Sequence, residues 1–230
     1  MTLLRSHHLG GRKTRYLTVL DIGSSKIVCL IACLRPLKHA HYLHGRTHST
    51  EILGFGVQRS RGIKSGVVMD MFAAEQSIRL AVDAAEKMAG LVVDSVIVNF
   101  SSSRLQSALI NGMVHLNGRE VTKRDMRMAF SDVSRKAFDA ERHVMHSVPV
   151  SYVLDGEKGI SDPIGMAGET FGVDVHVVTA ETASLRNLET CINRAHLSVE
   201  AMVATPFASG LAVLMNDEAR LGAACIDFGG

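Results

Sequence analysis

Two short segments of this sequence carry the residue types that hold phosphates. The first is Asp21-Ile22-Gly23-Ser24-Ser25-Lys26, and the second is Asp227-Phe228-Gly229-Gly230. In each, an aspartate closes an apolar run and a glycine follows two residues later. A glycine lets the backbone turn sharply and present its N–H groups to an anion with no Cβ in the way. Ser24 and Ser25 add hydroxyl donors. A carboxylate such as Asp21 can hold a hydrated Mg²⁺, which takes few carboxylates and keeps several waters. Either segment alone also reads as an ordinary turn after a strand. Together, at opposite ends of one chain, they would grip a triphosphate from both sides.

Other chemistries find less support. There is no G-x-x-x-x-G-K-[ST] phosphate loop, and Gly54-Phe55-Gly56 lacks the third glycine of a dinucleotide fingerprint. Ser101-Ser102-Ser103 has no G-x-S-x-G around it, so a hydrolase nucleophile is not expected there. His39, His41, His44 and His48 are irregularly spaced in a polar insert and read as a solvated hairpin insertion. Cys29, Cys33, Cys191 and Cys225 form no C-x-x-C pair and read as buried, reduced thiols. Lys123, Arg124, Arg127, Arg135 and Lys136 read as a solvated helix face, with contact to a partner or a neighbouring subunit as the alternative.

Positioning the two segments requires an α/β frame. Apolar runs at 16–21, 27–34 and 51–59 predict three strands, the first two a hairpin. Asp70 is placed to cap a helix over 71–89, with apolar residues at helical spacing and Gly90 to stop it. A strand is expected at 95–100. The stretch 105–116 reads as strand-like but interrupted by Asn111-Gly112, a hairpin-turn signal. Thr122 and Asp125 make a capping box for the next helix. A strand at 143–154, a Gly/Pro-rich loop at 155–168, and a strand at 172–179 follow. A helix over 181–196, a strand at 198–204, a helix from Pro206 to about Met215 and a strand at 221–227 complete the reading. Strands and helices alternate at both ends, while 93–171 is a mixed α+β module inserted between them.

Composition sets outer limits. With 230 residues, 47% hydrophobic and 21% charged, the chain is globular and long enough for a sizeable core. A net charge of +2, no Trp and 3 Tyr argue against a nucleic-acid partner. The longest charge-free run, 201–216, is broken by Pro206 and Gly210 and is too short to span a bilayer. The basic N-terminal arm, 1–15, is not followed by an apolar core of signal-peptide length, which predicts a cytoplasmic product.

The residues around Asp21 and Asp227 resemble the two phosphate loops of the actin/Hsp70/sugar-kinase superfamily. Further segments are collinear with the FtsA family of bacterial cell-division proteins. They include Ile52-Leu53-Gly54-Phe55-Gly56, Ser60 to Val68, Val121 to Asp125, His143 to Pro149 and, most distinctively, Asp162-Pro163-Ile164-Gly165-Met166-Ala167-Gly168.

The resemblance implies an actin-like (RNase H-like) ATPase domain, incomplete at its C-terminus, with an inserted α+β subdomain of the 1C/SHS2 type. It divides the chain into the arm 1–15, subdomain 1A from 16–92 and 172–205, subdomain 1C at 93–171, and the start of subdomain 2A at 206–230. It implies ATP and Mg²⁺ as cofactors. Asp21, Gly23, Ser24, Ser25, Lys26, Asp227, Gly229 and Gly230 would bind the nucleotide, with Asp21 beside the metal. The implied activity is polymerisation and tethering of FtsZ filaments at the septum, on the cytoplasmic face of the inner membrane. Other division proteins would bind through 1C, and the membrane through a C-terminal helix outside this chain. The alternative is the actin-like protein of pilus assembly in the same superfamily. Family members run on for about another half-chain, so the ending at Gly230 reads as a partial sequence. Hsp70-type chains carry an acid before the proline of the helix that here begins Thr205-Pro206, and 201–216 holds no carboxylate, so hydrolysis is expected to be slow at most.

Overall fold

The computed structural model describes residues 14–37 and 48–229. In chain order the elements are β1 (Arg15–Ile22), β2 (Lys26–Pro36), β3 (His48–Arg59), β4 (Ile63–Lys64), β5 (Val67–Val68) and α1 (Met71–Ala89). Next come β6 (Ser95–Phe100), β7 (Gln106–His115), α2 (Lys123–Lys136), β8 (Arg142–Leu154), β9 (Glu157–Ile160) and β10 (Thr170–Glu181). The last are α3 (Thr182–Arg194), β11 (Ser198–Ala204), α4 (Thr205–Val213) and α5 (Asn216–Leu221). The basic arm through residue 13, the histidines at 39, 41 and 44, and Gly230 lie outside the described residues.

The described chain forms two compact units, one of residues 104–182 and one of the stretches that flank it. The flanking unit is built on a five-stranded sheet of order β11-β6-β1-β2-β3. The β1-β2-β3 part is antiparallel, while β6 runs parallel to β1, and β11 parallel to β6. The strands alternate in burial: Leu20, Ile27, Cys29, Ile31, Val96, Val98 and Phe100 are buried on one side. Against that side α1 presents Ala74, Ile78, Ala81, Val82 and Ala85, which recur at helical spacing. The helix starts at Asp70, whose carboxylate accepts from the Ala73 N–H at 3.0 Å, and stops at Gly90 in the left-handed conformation. Its axis lies close to β3 because Gly54 and Gly56 face it; a Cβ at those positions would stand 2.3 and 1.9 Å from the carbonyl oxygens of Ala85 and Ala81.

The 104–182 unit is a four-stranded sheet of order β7-β10-β8-β9 with α2 on one face. Leu116, Val121, Ala129, Val133, Phe171, Val173 and Val175 form its core, with Tyr152 stacked on Phe171 at 6.1 Å between ring centroids. The expected capping box is present: the Thr122 side chain accepts from the Asp125 N–H, and the Asp125 carboxylate accepts from the Thr122 N–H at 3.0 Å. Arg119 donates to both oxygens of that carboxylate at 2.6 Å. Asp125 is 1% exposed, and its pKa is held well below the ordinary carboxylate range, by Arg119 first and by Thr122 after it.

Several expectations need correcting. Asn111-Gly112 is not a turn: β7 runs unbroken through both, in register with β10. The glycine is there for close approach, since a Cβ would lie 2.1 Å from the Ala129 carbonyl of α2, and the Asn111 amide donates to Asp174 at 2.9 Å. The 155–168 loop contains β9, a short strand paired with β8. The inserted unit runs over 104–182 where 93–171 was expected, because β6 hydrogen-bonds to β1 in the larger sheet and β10 continues to Glu181. The stretch 221–227 forms no strand: no strand among the described residues pairs with it, and Leu221 and Ile226 are exposed. Cys225, expected to be buried, is exposed on the same stretch, whereas Cys29, Cys33 and Cys191 are buried as expected.

Candidate functional site

The parallel part of the sheet brings three strand ends to one edge. Asp21 of β1 is the direct register partner of Asn99 on β6. Ala204 ends β11 opposite Phe100, so Thr205 lies one step beyond. A crevice outside the carboxyl ends of parallel strands is where open α/β sheets bind ligands. Here that edge opens on a cleft of about 740 Å³.

The first predicted segment forms one wall. Asp21, Gly23, Ser24, Ser25 and Lys26 all line the cleft. The β1–β2 connection is closed by the Gly23 N–H donating to the Lys26 carbonyl at 3.0 Å, and a Cβ on Gly23 would meet that same oxygen at 3.0 Å. Ser24 Oγ accepts from the Ser65 N–H at 2.9 Å, which joins the β4–β5 turn, with Ser65 and Gly66, to the wall. An accepting hydroxyl still has its own O–H to donate.

The second predicted segment faces the same space. Asp227 and Gly229 line the cleft, and Asp227 Oδ2 accepts from Ser209 Oγ of α4 at 2.7 Å. Gly230 lies outside the described residues. The two Asp-x-Gly segments, distant in sequence, thus border one cavity.

The sequence reading missed Asn99, Ser65, Gly66 and Ser209 as site residues. It noted Ser101-Ser102-Ser103 and Thr205 for other reasons, and these too line the cleft. The signal that could have found them is topological: Asn99 pairs with Asp21 across the sheet, Ser65 and Gly66 join β4 to β5, and Ser209 lies on the helix that follows β11. Asn99 donates from Nδ2 to Asp21 Oδ1 at 3.0 Å, while its Oδ1 is buried without a partner. Thr205 Oγ1 is buried without a partner as well.

Hydroxyls from Ser24, Ser25 and the 101–103 run, one cation at Lys26 and a tight Gly23 turn suit a polyphosphate. Asp21 and Asp227 are the carboxylates of the lining, a small number that suits a water-retaining Mg²⁺. Among the described residues no group of three or more His, Cys, Asp or Glu is placed to hold a metal ion.

Comparison with known proteins gives a consistent picture. Residues 102–179 match the model of the SHS2 domain inserted in FtsA. Cell division protein FtsA of Agrobacterium fabrum is 53% identical over 99% of this chain and 52% of its own length. The Pseudomonas aeruginosa protein of the same name is 33% identical over 92% of this chain and 48% of its own length. The chain thus spans about half the length of the curated relatives it matches. Among solved structures, a chain of the PilM-PilN type IV pilus biogenesis complex superposes with a TM-score of 0.56 at 17% identity, covering 89% of this chain and 51% of that one. At that identity the likeness shows a shared fold, the actin-like one.

Proposed function

We infer that this chain, which belongs to the FtsA family of cell division proteins and spans about half their length, binds ATP with Mg²⁺ in the cleft between its two Asp-x-Gly segments. The observation that carries this reading is that both segments line one cavity at the carboxyl ends of β1, β6 and β11. Gly23, Ser24, Ser25 and Lys26 would hold phosphate oxygens from one wall, and Asp227 with Gly229 would approach from the other. Asp21 would hold waters of the metal. Bound Mg²⁺ supplies neutralising charge to the phosphates. With Thr205 before Pro206 and no carboxylate in 201–216, the chain has no base of its own on α4 to orient water, so hydrolysis is slow at most.

The larger role we infer takes its support from the family likeness. The protein self-associates, tethers FtsZ filaments to the inner membrane at the septum and works there as a peripheral protein. Among the described residues no helix is long and apolar enough to cross a membrane. The unit at 104–182 would serve as subdomain 1C, the surface for self-association and later division proteins, and the flanking unit as 1A leading into 2A. The pilus-assembly alternative rests on fold alone, and the FtsA relatives at 53% identity favour division.

The test is calorimetric titration of the native protein with ATP in Mg²⁺, followed by co-sedimentation with FtsZ and anionic phospholipid vesicles. Saturable 1:1 binding is expected. Heat indistinguishable from dilution would sink the nucleotide reading, and FtsZ that stays in the supernatant would sink the tether.

A further inference from the structure

Two residues that line the cleft each carry a buried polar atom without a protein partner, and neither residue has an assigned role. Asn99 Oδ1 and Thr205 Oγ1 are buried, and a buried polar atom without a hydrogen bond costs stability unless something else meets it. They sit on neighbouring parallel strands or just past them, since Val203 pairs with Asn99 and Ala204 with Phe100. Both line the cavity that Asp21 lines.

The amide of Asn99 is already used at one end. Its Nδ2 donates to Asp21 Oδ1 at 3.0 Å, which fixes the orientation: the donor meets the carboxylate, and the acceptor, Oδ1, is left over. A carboxylate held this way keeps one oxygen anchored to the protein. The leftover Asn99 oxygen accepts hydrogen bonds only. Phosphate oxygens also accept only, so a bare phosphate cannot satisfy it, whereas a water or other O–H can. Metal-bound water is the strongest such donor available in a cleft that holds Mg²⁺ and phosphates. Thr205 brings a hydroxyl that can donate to a phosphate oxygen and accept from a second water.

We propose that Asn99 is a positioning residue that orients Asp21 through Nδ2 and receives a water of the Mg²⁺ hydration shell on Oδ1, with the Thr205 hydroxyl completing that water-binding edge. This rests on the nucleotide reading given above. Partners one shell out from a metal set its affinity by tens of fold without touching it. The magnesium dependence of nucleotide binding is therefore shared between Asp21 and two residues outside the Asp-x-Gly segments, Asn99 of β6 and Thr205 at the start of α4.

The experiment measures the affinity of the native protein for a fluorescent ATP analogue in Mg²⁺ and again in EDTA, and takes the ratio. Asn99→Leu keeps the branching and the number of side-chain heavy atoms and removes both polar ends. Thr205→Val is nearly isosteric and removes the hydroxyl, and Thr205→Ser restores it. Asn99→Leu is expected to reduce the Mg²⁺-to-EDTA affinity ratio about tenfold, and Thr205→Val about threefold, with Thr205→Ser near the parent and EDTA affinities little changed. A purely structural role would lower both affinities together and leave the ratio alone. An unchanged ratio in both Asn99→Leu and Thr205→Val, with the parent protein binding ATP, overturns this proposal alone. Absence of ATP binding by the parent protein overturns the nucleotide reading and this proposal with it.

Discussion

Gly56 of β3 and Ala81 of α1 are packed backbone against backbone. A methyl group on Gly56 would stand 1.9 Å from the Ala81 carbonyl oxygen, and neither atom can swing aside as a side chain would. This contact sets the distance between α1 and the sheet. Gly56→Ala should therefore force the helix off β3 and cost about 3 kcal/mol, the upper part of the range for overpacked cores. Urea unfolding of the parent and the variant checks it; a change within about 0.5 kcal/mol would mean the helix is free to retreat.

The Gly23 turn should be sensitive in a different way. It lies at the cleft rather than in the core, and a Cβ there meets the Lys26 carbonyl at 3.0 Å. Gly23→Val is expected to weaken ATP binding at least about tenfold, or roughly 1.4 kcal/mol, while the thermal midpoint moves little. Equal affinity would take the phosphates away from this wall.

Separation of the two units predicts an independent nucleotide site. The cleft lining falls within residues 21–103 and 205–229, none of it in the 104–182 unit. Replacing 104–182 with a short Gly/Ser linker should leave ATP affinity within about threefold while abolishing the self-association proposed above. Sedimentation velocity and the same titration read the two effects separately. Joint loss would show that the units depend on each other.

Acid should act first on the 104–182 unit. Arg119 and Thr122 hold Asp125 below its ordinary value, and Lys136, Met113 and Arg135 hold Asp132 at about 2. A depressed carboxylate contributes stability that is complete above its unfolded pKa of about 3.9 and is lost as pH falls through the folded value. Stability should therefore be flat above about pH 5 and decline below pH 4. Asp125→Asn should cost about 1–2 kcal/mol at pH 7 by removing the charge that Arg119 and the Thr122 N–H hold, and should flatten the acid limb. Circular dichroism melts from pH 7 to pH 2 measure both. An acid limb as steep in the variant as in the parent would remove Asp125 from the account.

Thiol chemistry offers a simple check of the fold. Burial raises Cys29 to about 12 and Cys191 to about 11, Cys33 is also buried, and Cys225 is exposed. A disulfide reagent at pH 8 should react at once with Cys225 in the native protein and with the other three thiols only after denaturation. Rapid reaction of a second native thiol would mean that a sheet-core contact is loose.

Much of this was legible from residue types alone. Asp70 and Gly90 bracket α1 because capping is local chemistry, and Thr122 with Asp125 announces α2 for the same reason. The two Asp-x-Gly segments stand out because glycine and carboxylate chemistry is written in a few adjacent residues. What escaped depends on partners far away in the chain. Asn111-Gly112 carries a turn signal, yet the helix that needs a glycine opposite Ala129 keeps it in a strand. The segment 221–227 has strand composition but no strand beside it among the described residues. Asn99 could not be read as a site residue until β6 was laid parallel to β1, since nothing near it in sequence contains Asp21.

The site residues are interleaved with the core. Asp21 lies between Leu20 and Ile22, Asn99 between Val98 and Phe100, and Thr205 follows Ala204, all five of these neighbours being buried. One alternation therefore encodes two things, and a mutational history should show it. Point changes at 21, 99 or 205 should alter binding and spare the fold. A single-codon insertion or deletion inside β1 or β6 would turn the polar side chain into the core and an aliphatic one into the cleft. Across descendants of this gene, these strands should accumulate substitutions while keeping their lengths unchanged, with length variation confined to the connections between them.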